Sequence, residues 1–192
     1  MAGEYEERMH RVREEARQKA VIEFWDNNCP EIYRRNDPSR AACPVEAAKV
    51  VGWQFGGKGL LLVGPSRAGK THSVWTLLRR IAMEKKSIAT FDGLSWFTSV
   101  SRSFSDLTQT DAFFNTVTGV DLLFLDDIFL GRITDAQIVG IWGTVERRMQ
   151  AAKPTIVTTN ATGQTLIDRC GAAIVPVIER LRECCEVVSF TK

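Results

Sequence analysis

Gly64-Pro65-Ser66-Arg67-Ala68-Gly69-Lys70-Thr71 follows the pattern G-x-x-x-x-G-K-[ST], the spacing of a loop that wraps phosphate groups. Glycine lets the backbone come close to an anion, and successive N–H groups then turn inward around it. Lys70 is placed to reach β- and γ-phosphates, and Thr71 to put its hydroxyl on Mg2+. The expected contact set is Gly64, Pro65, Ser66, Arg67, Ala68, Gly69, Lys70, Thr71 and the next residue, His72. Before the loop, Gly59-Leu60-Leu61-Leu62-Val63 reads as a buried parallel strand. After it, Val74, Leu77, Leu78 and Ile81 recur at helical spacing. Strand, loop and helix come in the order that brings the positive end of a helix to an anion. The stretch therefore implies binding of a nucleoside triphosphate.

Further along, strands and helices keep alternating, which predicts a parallel sheet with helices on both faces. Residues 87–91 read as a short strand, and Asp92 as the cap of a helix to about Phe104 with Leu94, Phe97 and Phe104 inward. Residues 107–117 read as a weaker helix. Leu122-Leu123-Phe124-Leu125-Asp126-Asp127 is an apolar strand ending in two acids, the form of a Walker B element. There Asp126 would hold Mg2+, directly or through water, and Asp127 would orient or activate the attacking water. Two acids at a strand end are also a plain turn, and the phosphate loop upstream is what favours the catalytic reading. Thr134 and Gln137 form a capping box, followed by Ile138, Ile141, Trp142, Val145 and Met149 at three-and-four spacing. Residues 154–159 read as a strand ending at Asn160, which could hydrogen-bond the γ-phosphate or the water, although Asn at a strand end is a common turn signal. Pro176 suits the first turn of a last helix, and 186–190 close as a strand. Arg180 is predicted to face outward from that helix. It is either a surface arginine paired with Glu179 or Glu183, or an arginine finger for a neighbouring subunit's nucleotide.

The chain has 192 residues and a formal net charge of +2, so bulk charge does not call for a polyanion, and any nucleic-acid contact must come from a local patch. No apolar run approaches the roughly 20 residues that span a bilayer, and the N-terminus lacks an apolar signal core. The expectation is a cytoplasmic protein without a membrane partner. The five cysteines include no C-x-x-C and read as reduced thiols. Residues 4–25 read as a charged helix with a narrow apolar stripe of Tyr5, Met9, Val12, Ala16 and Ala20. That helix either packs edge-on against its own domain or docks on a partner protein. Asn36-Asp37-Pro38 and its surroundings mark a boundary, and Val45, Ala48 and Val51 line one side of a helix from Pro44 to Phe55. The division expected is an N-terminal helical extension over 1–40 and a nucleotide domain over 41–192.

GPSRAGKT, then LLFLDDI, then KPTIVTTN, then ERLRECCEVVSF resembles the AAA+ ATPases of the DnaC/IstB group, over about residues 41–192. The resemblance implies an α/β P-loop NTPase of AAA+ type, a three-layer sandwich with a five-stranded parallel sheet. It makes Lys70 and Thr71 Walker A, Asp126 and Asp127 Walker B, Asn160 sensor 1 and Arg180 the arginine finger. Arg147 or Arg148 matches an arginine that follows the Walker B helix. The implied cofactors are ATP and Mg2+, and the implied partners are further copies of the chain in a nucleotide-dependent oligomer, a replicative helicase and single-stranded DNA. Contacts to the DNA are expected around Arg102 and Arg132. The family often has a small residue where Arg67 stands, which bears on nucleotide affinity or exchange. The chain ends at Lys192 with no helical lid, as loaders of this group lack a full one, and its N-terminal piece is shorter than a typical loader's, suggesting a compact phage or prophage form. The implied function is ATP-driven loading of a replicative helicase. The alternatives are a transposition helper ATPase on duplex DNA and a nucleotide-switched interaction module with negligible turnover.

Overall fold

The computed structural model describes residues 2–34, 42–84, 86–103, 107–129, 131 and 133–191, with side chains for all of these except 2–4, 17 and 107–109. Five parallel strands form one sheet: β1 (Gly59–Val63), β2 (Ile88–Asp92), β3 (Leu122–Asp126), β4 (Thr155–Thr159) and β5 (Cys185–Ser189). Their spatial order is β2-β3-β4-β1-β5. The strand that precedes the phosphate loop is therefore central, with β4 between it and the strand that ends in two acids.

Each central strand is apolar on both faces, as a sheet covered on both sides requires. Leu60 and Leu62 of β1, Leu122 and Phe124 of β3 and Ile156 of β4 join one core cluster, while Leu61, Leu123, Leu125 and Val157 join the other. The first face is covered by α3 (Pro44–Val51) and α4 (Lys70–Met83). The second is covered by α5 (Gly93–Ser103), α6 (Leu107–Gly119), α7 (Asp135–Gln150), α8 (Gly163–Cys170) and α9 (Val175–Cys184). α7 starts with the expected capping box, and α9 carries its proline in the first turn.

Several helices turn a different side inward from the one their spacing suggested. α3 buries Ala47 and Val50 and leaves Val45 exposed. α5 buries Trp96 and Val100, and Leu94 is 80% exposed. Phe97 is partly buried against the core, and Phe104 lies outside the described residues, as does Asn36-Asp37-Pro38. Trp96 meets Phe91 and Phe113 at 5.4 and 5.2 Å between ring centroids, so the larger aromatic surface takes the core position. On α7, Trp142 is exposed, and the inward stripe is Ile138, Ile141, Val145 and Arg148.

α1 (Ala2–Asn28) leads to a single turn, α2 (Glu31–Arg34). Of its expected stripe, Tyr5 and Val12 are exposed. Trp25 makes the contact instead, standing edge-on to Trp75 of α4 at 5.7 Å with Arg79 over its ring. Among the described residues no helix is long and apolar enough to cross a membrane.

Arg148 corrects the reading of that residue as part of a nucleotide site. It is fully buried, and all its N–H groups are spent inside the domain. Nε donates to Thr155 Oγ1 at 3.0 Å, Nη1 to the carbonyls of Val117 and Val120, and Nη2 to those of Asp121 and Pro154. Burial draws its pKa down to about 10, and it stays charged at neutral pH. Its acceptors lie just before β3 and at the start of β4, so it ties the entry ends of those strands together. Arg147, one residue earlier, stacks on Phe114 with its guanidinium carbon 3.9 Å from the ring centroid. Arg148→Met is expected to destabilise the protein by about 3 kcal/mol or more, because buried carbonyls lose their donors. Arg147→Met should cost under about 1 kcal/mol. Urea unfolding at pH 7 measures both, and equal effects would remove the anchoring role.

Candidate functional site

The register of the parallel strands decides what meets at their carboxyl ends. Leu62 pairs with Thr158, Val63 with Thr159, and Leu125 with Val157. The strands end level, so the loop after β1, the acids at the end of β3 and the polar end of β4 face the same cleft, where ligands bind in such sheets.

The loop from Gly64 to α4 needs its glycines. Gly64 has φ 152° and lies so close to Phe190 after β5 that a Cβ would overlap the Phe190 carbonyl. Gly93 lies beside the acids, where an added Cβ would sit 2.7 Å from the Asp127 carbonyl oxygen. Gly69 caps α4 in the left-handed region, and Arg67 at the exposed loop tip has φ 62°. That conformation costs a non-glycine side chain energy and is found most often at functional loops. Pro65 and Ser66 are exposed, while Ala68 is buried.

Lys70 is almost fully buried. Its ammonium donates to the carbonyls of Gly64 at 2.8 Å and Pro65 at 2.9 Å, and to Asn160 Oδ1 at 2.7 Å. Burial pulls its pKa below the usual lysine value, and Asp127 and then Asp126 pull it back. Thr71 donates its hydroxyl proton to Asp126 Oδ1 at 2.8 Å. Thr158 donates to the same oxygen and accepts from the Asp127 N–H at 2.9 Å. Burial raises the Asp126 pKa, and the Thr158 and Thr71 hydroxyls partly offset that. Asp127 has φ 49°, and its Oδ1 is buried without a hydrogen-bond partner among the described residues. Two hard oxygens, Thr71 Oγ1 and Asp126 Oδ1, thus stand together beside an orphaned carboxylate oxygen. This donor set fits Mg2+, which takes one or two protein oxygens and completes its shell with water and phosphate. Among the described residues no three His, Cys, Asp or Glu gather to hold a metal by themselves.

Lys70, Thr71, Asp126, Asp127 and Asn160 are therefore gathered in one place, and Arg180 is not among them. Arg180 lies on α9, where Nε pairs with Glu146 of α7 at 2.9 Å and Nη1 with Glu183 at 2.7 Å. Of the two partners weighed from the sequence, Glu183 is present, and Glu146 was not foreseen. Arg102 is on the exposed last turn of α5, and Arg132 lies outside the described residues.

Two site residues escaped the sequence. Thr158 bridges both acids, and its only signal was its place two residues before Asn160. Tyr33 on α2 carried no signal at all. Its ring is edge-on to His72 with centroids 5.9 Å apart. Burial, then the nearby Asp126 charge, raises its pKa, and a hydrogen bond with the Thr71 hydroxyl works the other way. Burial also lowers the His72 pKa.

The strand order and the gathered site define an α/β P-loop architecture. Comparison with known proteins narrows the fold. No protein-family model matches the sequence, and no curated protein sequence does. Among solved structures, the DnaC helicase loader superposes with a TM-score of 0.62 at 24% identity, covering 84% of this chain and 100% of that one. DnaI gives 0.63 at 19% identity, covering 86% and 93%. The replication initiator DnaA bound to AMPPCP and single-stranded DNA gives 0.63 at 15% identity, covering 78% of this chain and 45% of that one. The match thus spans less than half of the DnaA chain. The fold is that of the DnaC and DnaA AAA+ P-loop domains.

A carboxyl group whose folded pKa lies above the ordinary 3.8 binds its proton more tightly folded than unfolded. Its contribution to stability therefore declines as pH rises from 3.8 through the raised folded value. At neutral pH the ionised Asp126 is a cost carried by the ligand-free fold. Asp126→Asn is expected to raise the thermal midpoint of the ligand-free protein at pH 7 and to flatten the pH dependence just above 3.8. An unchanged or lower midpoint would mean that the two hydroxyl bonds outweigh the burial.

Proposed function

We propose that this chain binds ATP with Mg2+ and hydrolyses it, and that it uses the cycle to load a replicative helicase onto single-stranded DNA. The observation that carries the reading is the convergence of Lys70 and Asn160 with Thr71, Asp126 and Asp127 at level strand ends. Mg2+, when bound, would bridge phosphate oxygens and offset the charge that develops on them. The protein's own groups do the rest. Backbone N–H groups of 64–71 hold the phosphate chain, and the positive end of α4 adds to their field. Lys70 exchanges its loop carbonyls for β- and γ-phosphate oxygens. Asn160, now bound to Lys70, is within reach of the same oxygens and of the attacking water. Asp127, with its unpartnered Oδ1, orients that water and accepts its proton. Thr158 keeps the two acids apart in role, since it donates to Asp126 while accepting from the Asp127 backbone.

Arg180 is assigned to the nucleotide of a second copy. In its own subunit it is tied to Glu146 and Glu183, neither of which belongs to the phosphate site. The helicase and single-stranded DNA are proposed from likeness of fold, since DnaC is a helicase loader and the DnaA structure holds single-stranded DNA. The extension over 1–40 is proposed as the helicase-binding arm, with Tyr5 and Val12 of α1 exposed and available to it.

Phosphate release from ATP is expected to fall by about 100-fold or more in Lys70→Ala, the scale of losing a charged group on the transferring phosphate. Equal turnover in the two proteins would remove the enzyme reading. Mixing Arg180→Ala with Asp127→Ala subunits should restore part of the lost turnover, because one intact interface forms between a good finger and a good site. A mixture no more active than either variant would leave Arg180 a structural arginine.

A further inference from the structure

Tyr33 has no part in the chemistry above, yet it stands at the metal side of the site. Thr71 has one hydroxyl proton, and that proton goes to Asp126 Oδ1. Toward any other neighbour Thr71 can only accept. The Tyr33 phenol keeps its proton at neutral pH, so it is the donor to Thr71 Oγ1. A cation that takes Thr71 needs a lone pair of that same oxygen and must approach between it and Asp126. The phenol proton and the cation therefore compete for one small space.

Tyr33 cannot leave alone. Arg34 beside it donates from Nε to the Cys29 carbonyl at 3.0 Å and from Nη2 to the Asp26 carbonyl at 2.6 Å, and its Nη1 pairs with Glu31 at 3.3 Å. These bonds clamp α2 onto the end of α1. Trp25, one turn earlier on α1, rests on Trp75, and Trp75 on Phe124 of β3, two residues before Asp126. The arm thus touches the nucleotide domain at two points. One is the Trp25 contact on α4, and the other is Tyr33 against His72 and Thr71.

We propose that Tyr33 is a latch: it holds the N-terminal arm against the metal side of the phosphate site, and Mg2+ with a bound triphosphate displaces it and frees α2 with the end of α1. This rests on the triphosphate reading of the site and adds how the state of that site reaches the arm. The same competition makes Tyr33 oppose metal-dependent binding, so the arm reports on the metal-loaded nucleotide and not on the nucleotide alone.

The test uses the full chain, with ATP in excess Mg2+ and ATP in EDTA as the two probes. Titration calorimetry gives affinity, and hydrogen–deuterium exchange follows residues 24–34. Tyr33→Phe keeps the ring on His72 and removes only the hydroxyl. It should bind Mg·ATP about 2- to 12-fold more tightly, the range of one hydrogen bond, with affinity for ATP in EDTA unchanged. In the wild type, Mg·ATP should speed exchange over 24–34 at least several-fold, and ATP in EDTA should not. An unchanged ratio of the two affinities in Tyr33→Phe, or equal exchange with and without Mg·ATP, overturns the latch while leaving the triphosphate reading in place. Failure of the wild type to bind ATP under either condition removes that reading and the latch together.

Discussion

Level strand ends are the constraint on which the rest of this molecule depends. Parallel pairing of β1 with β4 and of β4 with β3 fixes which residues leave the sheet side by side. A slip of one residue would turn Leu125 or Thr158 to the wrong face and separate the threonine from both acids. The register is secured at the other end of the same strands. Arg148 gathers carbonyls from before β3 and from the start of β4, together with the Thr155 hydroxyl, onto one guanidinium. A lone buried cation is an expensive group. Here every donor is matched, so the expense is met by a fixed geometry rather than by an opposite charge. The core polar group and the site are two ends of one arrangement.

The site itself is held in an uncomfortable state. Lys70 is buried and its pKa lowered, and Asp126 is buried and its pKa raised. Neither effect helps the fold, and both are relieved by opposite charge arriving from outside. A triphosphate supplies negative oxygens for Lys70, and Mg2+ supplies positive charge for Asp126 and the orphaned Asp127 oxygen. Such a site gains more from a ligand than a relaxed one would, because binding also removes the burial costs of both groups. The hydroxyls of Thr71 and Thr158 moderate the carboxylate without neutralising it, which keeps Asp126 available.

What could be read from the sequence divides along the same physical line. The phosphate loop, Asp126-Asp127 and the Thr158-Thr159-Asn160 end are local patterns, and a parallel sheet converts them into one cleft without further information. The helices on either side were legible as helices and often misjudged in facing. Spacing of three and four residues fixes that a stripe exists, but Val45 competes with Ala47 and Leu94 with Trp96, and only the packing partner decides between them. Arg148 was misassigned because arginine is ordinarily a surface residue, and its five acceptors come from segments that sequence distance separates from it. Tyr33 was invisible for a related reason: it reaches Thr71 only through the turn at α2, which no pattern marks.

Arg180 shows how the two layers of the domain differ in what they are free to do. The faces of α7 and α9 that meet are apolar and buried through Ile141, Val145, Val177 and Leu181, and they set the height of α9 above the sheet. Above that seam Glu146, steadied by Gln150, holds Arg180 by its Nε, and Glu183 holds Nη1. Partly exposed pairs of this kind hold a side chain in one orientation while contributing little to stability. A guanidinium fixed in direction yet weakly bound loses little on transfer to a more highly charged partner. A triphosphate presented by an adjoining copy is such a partner, and Glu146 would then be left as the counter-charge that returns Arg180 to rest when the phosphates depart.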